Sequence, residues 1–72
     1  MEDIRLQTIV GARIAELRKA RGYDQSVFAR MVGINRSYLV SIEAGRRNIS
    51  LETLSKILSG LDMAFSEFFE GI

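Results

Sequence analysis

Three features of the sequence predict an all-α domain of five short helices. Apolar residues recur at helical spacing, proline is absent, and the breaks in the pattern fall at glycines and at residues that cap helices well. No segment has the composition of a linker or an internal repeat. A chain of 72 residues is one domain near the lower limit for unaided folding, so a single domain is expected over 1–72.

The first helix is expected from about Ile4 to Arg21. Val10, Ile14 and Leu17 stand at i, i+4 and i+7, with Leu6 extending the stripe backwards; Arg13, Glu16, Lys19 and Arg21 face out, and Gly22 stops the helix. Asp24 is a good N-cap for a second helix over residues 25–32. Its buried stripe is Phe28, Met31 and Val32, with small Ala29 leaving room for a close neighbour. Only Gly33 and Ile34 separate this helix from the next cap, Asn35, which forces a tight corner. The third helix covers residues 36–44, buries Leu39 and Ile42, and is released at Gly45 in a left-handed conformation. After the basic loop Arg46-Arg47-Asn48-Ile49, Ser50 caps a fourth helix, with Glu52 in its first turn and Leu51, Leu54, Ile57 and Leu58 on its apolar face. It ends near Gly60. Leu61 to Ala64 is a connector, and a short fifth helix runs from Phe65 to about Glu70. Phe65 and Phe68 are expected in the core; Met63, Phe69 and Ile72 supply apolar surface for a partner. Helices this short are marginal alone, so packing must supply most of the stability.

Composition narrows the function. Hydrophobic content of 47% supports a core. There is no cysteine, hence no disulfide or thiolate metal site, and no histidine, the commonest general base and metal ligand. No phosphate-cradling glycine loop and no nucleophile–base constellation is visible, so an enzyme is not expected, nor a metal or cofactor. No apolar run approaches a membrane span and the start has no signal-peptide core, so the expected location is the cytoplasm. Net charge is only +1, but it is unevenly spread. Residues 18–47 hold seven basic side chains against Asp24 and Glu43, a net +5, whereas residues 48–72 hold Lys56 against four acids, a net −3. A basic patch of this size is either a phosphate footprint or a solvated surface.

The third helix presents Arg36, Ser37, Tyr38, Val40 and Ser41 away from its buried stripe. A narrow helix offering a guanidinium and small hydroxyls near its start suits a DNA major groove; the plain alternative is an ordinary surface helix.

The arrangement of Leu17-Arg18, Gly22, Asp24 to Ala29, Val32 to Leu39, Ile42 to Asn48, Ser50 to Leu54 and Phe65 to Phe69 resembles the helix-turn-helix domain of the Cro and lambda-repressor-like (Xre) family. With the first helix included, the resemblance covers nearly the whole chain. It implies a compact five-helix lambda-repressor-like fold, with the helix-turn-helix at about 24–45, and a transcriptional regulator of double-stranded DNA. Arg36, Ser37, Val40 and Ser41 match base-facing positions. Gln25, Asn35, Tyr38, Arg46, Arg47 and Asn48 match positions near the DNA backbone, Gln25 either touching a phosphate or bracing the recognition helix. Arg18 and Glu43 match a structural ion pair. Each position also has a purely local reading: Gln25 filling a first turn, Tyr38 packing on the adjacent loop, Arg46 and Arg47 as plain loop charges. The resemblance implies a homodimer on a palindromic operator. With the chain ending after the fifth helix, no small-molecule ligand is expected. The segments 36–43 and 47–51 are similar to the controller proteins of restriction–modification systems; phage repressors and antitoxins share the same domain. The competing class is a protein-interaction module that uses the C-terminal aromatics. The chain departs from the family pattern at Ile49, where proline is frequent, and at Asp62 and Ala64, where a glycine and a hydroxyl cap are frequent.

Overall fold

The computed structural model describes residues 4–70 and 72. Among these are five helices and no strand: α1 Ile4–Ala20, α2 Gln25–Val32, α3 Arg36–Glu43, α4 Leu51–Gly60 and α5 Phe65–Glu70. Three of the starts are set by side-chain caps. Asp24 accepts from the Val27 N–H at 2.8 Å, Asn35 from Tyr38 at 2.8 Å and Ser50 from Thr53 at 3.1 Å, each satisfying a first-turn donor that has no partner within its helix.

The first four helices end alike. In each, the residue after the last turn takes a positive φ, and its successor donates back into the helix, as Ile34 does to the Ala29 carbonyl at 3.0 Å and Arg46 to Ser41 at 3.0 Å. Gly22, Gly33 and Gly45 hold the left-handed position after α1, α2 and α3. After α4 it is held by Asp62, at φ 56°, with Met63 donating to Leu58 at 3.0 Å. Ala64, where α5 begins, has no side-chain acceptor. Instead Glu67 reaches back to accept the Ala64 N–H at 2.8 Å, the return half of a capping box.

The core is formed by Val10 and Ile14 of α1, Phe28, Ala29 and Val32 of α2, Leu39 and Ile42 of α3, Leu54, Ile57 and Leu58 of α4, then Leu61 and Phe68. Several expected positions differ. Leu61 continues the 54–57–58 stripe at i+7 and is fully buried rather than part of a surface connector. Met31 is about half exposed, because α2 turns Ala29 and Val32 toward α4, where Gly60 lets Val32 approach so closely that a side chain there would collide with it. Leu51 is 75% exposed and Phe65 is 41% exposed. Both are the first residue of their helices and overhang the end of the packed stripe; of the phenylalanines of α5, only Phe68 is in the core. Leu6 lies beyond the last packed turn of α1 and is likewise exposed. Leu17 is partly buried against the core.

Two arginines expected to face solvent are tied to the C-terminal third. Arg13 donates from Nε to the Phe68 carbonyl at 3.0 Å and lies over the Phe68 ring, and Arg21 donates to the Leu61 carbonyl at 2.9 Å. Both guanidiniums satisfy carbonyls at helix ends that lack an intrahelical partner, where positive charge is also favoured.

Candidate nucleic-acid interface

At 100° per residue, Arg36, Ser37, Val40 and Ser41 fall within a sector of about 140° on α3, and Leu39 and Ile42 lie on the other side. Arg36 and Ser37 are exposed, Val40 and Ser41 are half-buried, and Leu39 and Ile42 are sealed in the core. The buried side anchors the helix, and the other side is left open to a ligand.

What fixes α3 is a polar cluster at its rear. Arg18 meets Glu43 through two parallel hydrogen bonds, Nε to Oε2 at 2.7 Å and Nη2 to Oε1 at 2.9 Å, and its remaining nitrogen donates to the Tyr23 carbonyl at 2.7 Å. Both side chains are almost wholly buried, at 7% and 6% exposure. Donating to the Glu43 carboxylate raises the Arg18 pKa above its ordinary value against the opposing effect of burial, so the guanidinium stays charged. The pair joins α1 to the end of α3, and the Tyr23 contact brings in the turn before α2. Its forked geometry meets the condition under which a buried ion pair offsets its own desolvation.

Gln25 extends this cluster toward the open face. Its Nε2 donates to Glu43 Oε1 at 2.9 Å, and its Oε1 accepts a long hydrogen bond from Arg36 Nη2 at 3.5 Å. A carboxylate can only accept and a guanidinium can only donate, so the two neighbours dictate which way the amide points. Arg36 is therefore held at the start of α3 through a chain running back to a buried charge. Nothing local in the sequence announces this link, since Gln25 and Glu43 are eighteen residues apart.

Backbone contact completes the placement. A Cβ on Gly11 would collide with the Ile42 carbonyl oxygen, so α1 crosses the end of α3 at a distance only glycine permits. A glycine in the middle of a helix costs about 0.5–1 kcal/mol relative to alanine, and this close approach is the reason it stands there. Sequence reasoning missed Gly11, although an isolated glycine within a helical pattern is the signal for such an approach.

The remaining predicted residues lie around the two ends of α3. The Asn35 side-chain oxygen is committed to its cap, which leaves its amide nitrogen for other partners. Tyr38 is half-buried against the core, and the Arg47 guanidinium sits 5.2 Å from its ring centroid, a cation–π contact that orders the start of the basic loop. Arg46, Arg47 and Asn48 are exposed. Met63 is partly buried against the core, whereas Phe69 and Ile72 are exposed, at 41% and 47%.

Against this geometry, the Helix-turn-helix family model matches residues 14–68. The chain belongs to the helix-turn-helix family. Control protein C.MunI of Mycoplasma sp is 40% identical to this helix-turn-helix protein over 73 residues, an overlap of 100% of this chain and 96% of that one. The crystal structure of the restriction–modification controller protein C.AhdI from Aeromonas hydrophila superposes with a TM-score of 0.89 at 35% identity, covering 96% of this chain and 100% of that one. The controller protein C.Esp1396I, solved as a tetramer in complex with its natural 35 base-pair operator, superposes with a TM-score of 0.85 at 30% identity over 92% of this chain and 87% of that one. Among the described residues, no helix is long and apolar enough to cross a membrane.

Proposed function

We propose that this helix-turn-helix protein is a cytoplasmic, sequence-specific regulator of transcription that binds a palindromic operator as a homodimer. In this reading α3 enters the major groove. Arg36, Ser37, Val40 and Ser41 face base edges, Arg36 as a fork for guanine O6 and N7. Gln25, Asn35, Tyr38, Arg46, Arg47 and Asn48 approach phosphates and fix the register without reading sequence. The observation that carries the reading is the open sector of α3: a guanidinium and a hydroxyl project from a helix whose opposite side is locked into the core.

One recognition helix makes few base contacts, and a two-fold pair on half-sites about 34 Å apart is the usual remedy. Exposed Phe65, Phe69 and Ile72 beside Met63 supply the apolar surface for that pairing, with Phe65 added to the set by its position outside the core. The likeness to the restriction–modification controller protein C.AhdI over 96% of this chain favours a restriction–modification controller over a phage repressor or an antitoxin.

The test is selection of binding sites from random duplexes by the purified protein, followed by the same selection with Arg36→Ala. The variant loses preference at one base-pair position in each half-site, about 1–3 kcal/mol of discrimination, and keeps its non-specific affinity. Uniform weakening on all sequences would make Arg36 a phosphate contact instead. Failure of the wild-type protein to bind any duplex at low salt would leave the competing class, a protein-interaction module.

A further inference from the structure

The side of α1 that packs on α3 can be followed residue by residue. Arg18 reaches Glu43, Gly11 lies against the Ile42 and Glu43 carbonyls, and Thr8 lies against Gly45, where a Cβ would come within 2.9 Å of the Thr8 Cα and Oγ1. Arg5 stands three residues before Thr8, on the same face of the helix and about 4.5 Å further along its axis. At that point α3 has ended. Gly45, against which Thr8 packs, is the turn from which the chain departs into Arg46 and Arg47. Arg5, Arg46 and Arg47 are all exposed. Thr8 packs on Gly45, so Arg5, one turn before Thr8, and Arg46 and Arg47, directly after Gly45, flank one backbone contact, although the family match begins only at residue 14.

We infer that Arg5 is a further DNA-backbone contact of this protein, binding a phosphate next to those approached by Arg46 and Arg47. The inference rests on the proposed DNA-binding function and extends its footprint beyond the helix-turn-helix. An arginine suits the position because its flexible stem spans the gap left by the helix end, and its planar fork pairs with two phosphate oxygens at once. A phosphate contact of this kind adds affinity and salt dependence without sequence preference.

The experiment compares the affinity of full-length protein for an operator duplex, and for an unrelated duplex, over a series of salt concentrations. Arg5→Ala weakens binding to both duplexes by the same factor. It makes the plot of log affinity against log salt shallower by about 0.9 per protomer, or about 1.8 for a dimer. Arg5→Lys retains most of the slope. Lys56→Ala, which removes one positive charge from α4 beside Met31 and Ser59, serves as the control for net charge. Thermal melting of Arg5→Ala matches wild type, which separates phosphate contact from a role in folding. The inference is overturned if wild-type binding is salt-dependent and Arg5→Ala leaves the slope where Lys56→Ala leaves it. If wild-type protein binds neither duplex, the DNA-binding function itself fails, and the role of Arg5 with it.

Discussion

The helix-turn-helix and the C-terminal third are built from the same parts, short helices with an N-cap and a left-handed exit, yet they are finished differently. α2 and α3 each have a side-chain cap at the start and glycine at the exit, and a buried ion pair and Gln25 bind them to each other and to α1. The exit from α4 is Asp62, α5 starts after Ala64 with only the reach-back of Glu67 in place of an N-cap side chain, and a side-chain hydrogen bond from Arg13 to the Phe68 carbonyl joins α1 to α5. In the proposed function the first region holds a guanidinium where a base edge will be, and small errors of placement there would cost discrimination. The second exposes Phe65, Phe69 and Ile72, apolar surface that the chain leaves uncovered. Order is concentrated where the proposed reading needs fixed geometry, and incomplete burial is left where the proposed pairing would complete it.

The contrast can be tested at three strengths. The largest effect is expected at the ion pair. Glu43→Ala strands the Arg18 guanidinium in the core and costs about 3 kcal/mol, lowering Tm by roughly 12–24 °C for a domain of this size. A melt shifted by only a few degrees would show that the helix-turn-helix is held by its apolar contacts alone. Next comes the exit from α4. Asp62→Gly relieves a left-handed non-glycine residue and raises stability by about 0.5–1 kcal/mol, read as an increased urea midpoint at unchanged slope. An unchanged or lower midpoint would mean that Asp62 already sits without strain, and the two regions would be more alike than their endings suggest. The smallest effect on stability is expected at Ile72, exposed just past α5, where Ile72→Ser changes the stability of the monomer by less than about 0.5 kcal/mol. Sedimentation then shows the loss of self-association. A variant that still sediments as a dimer would move the pairing surface away from Ile72.

Much of this architecture is legible locally. Asp24, Asn35 and Ser50 announce three helix starts because capping needs only a side-chain oxygen and the three residues after it. Gly22, Gly33 and Gly45 announce three exits for an equally local reason, the absence of a Cβ at positive φ. The stripe of α4 is also readable, and carrying its period one step past the helix end would have placed Leu61 in the core. The errors fall where a neighbour decides. Met31 and Ala29 compete for the inner face of α2, and the choice follows from how closely α4 approaches at Gly60. Leu51 and Phe65 have the right spacing, but their helices begin before there is anything to pack on. Arg13 and Arg21 read as solvent-facing charges because the carbonyls they satisfy lie more than thirty residues away.

The sequence by itself determined where the helices start and stop, which side of α3 is apolar, and that positive charge gathers around that helix. These depend on interactions that span a turn or two of chain. Only the tertiary structure decided that Gln25 is pinned by Glu43 with its oxygen turned to Arg36, that Gly11 admits α1 to the end of α3, and that Thr8 packs on Gly45 where the basic loop begins. Each of these joins residues far apart in the chain, and their distance in space is set by how the helices cross, which no local pattern encodes.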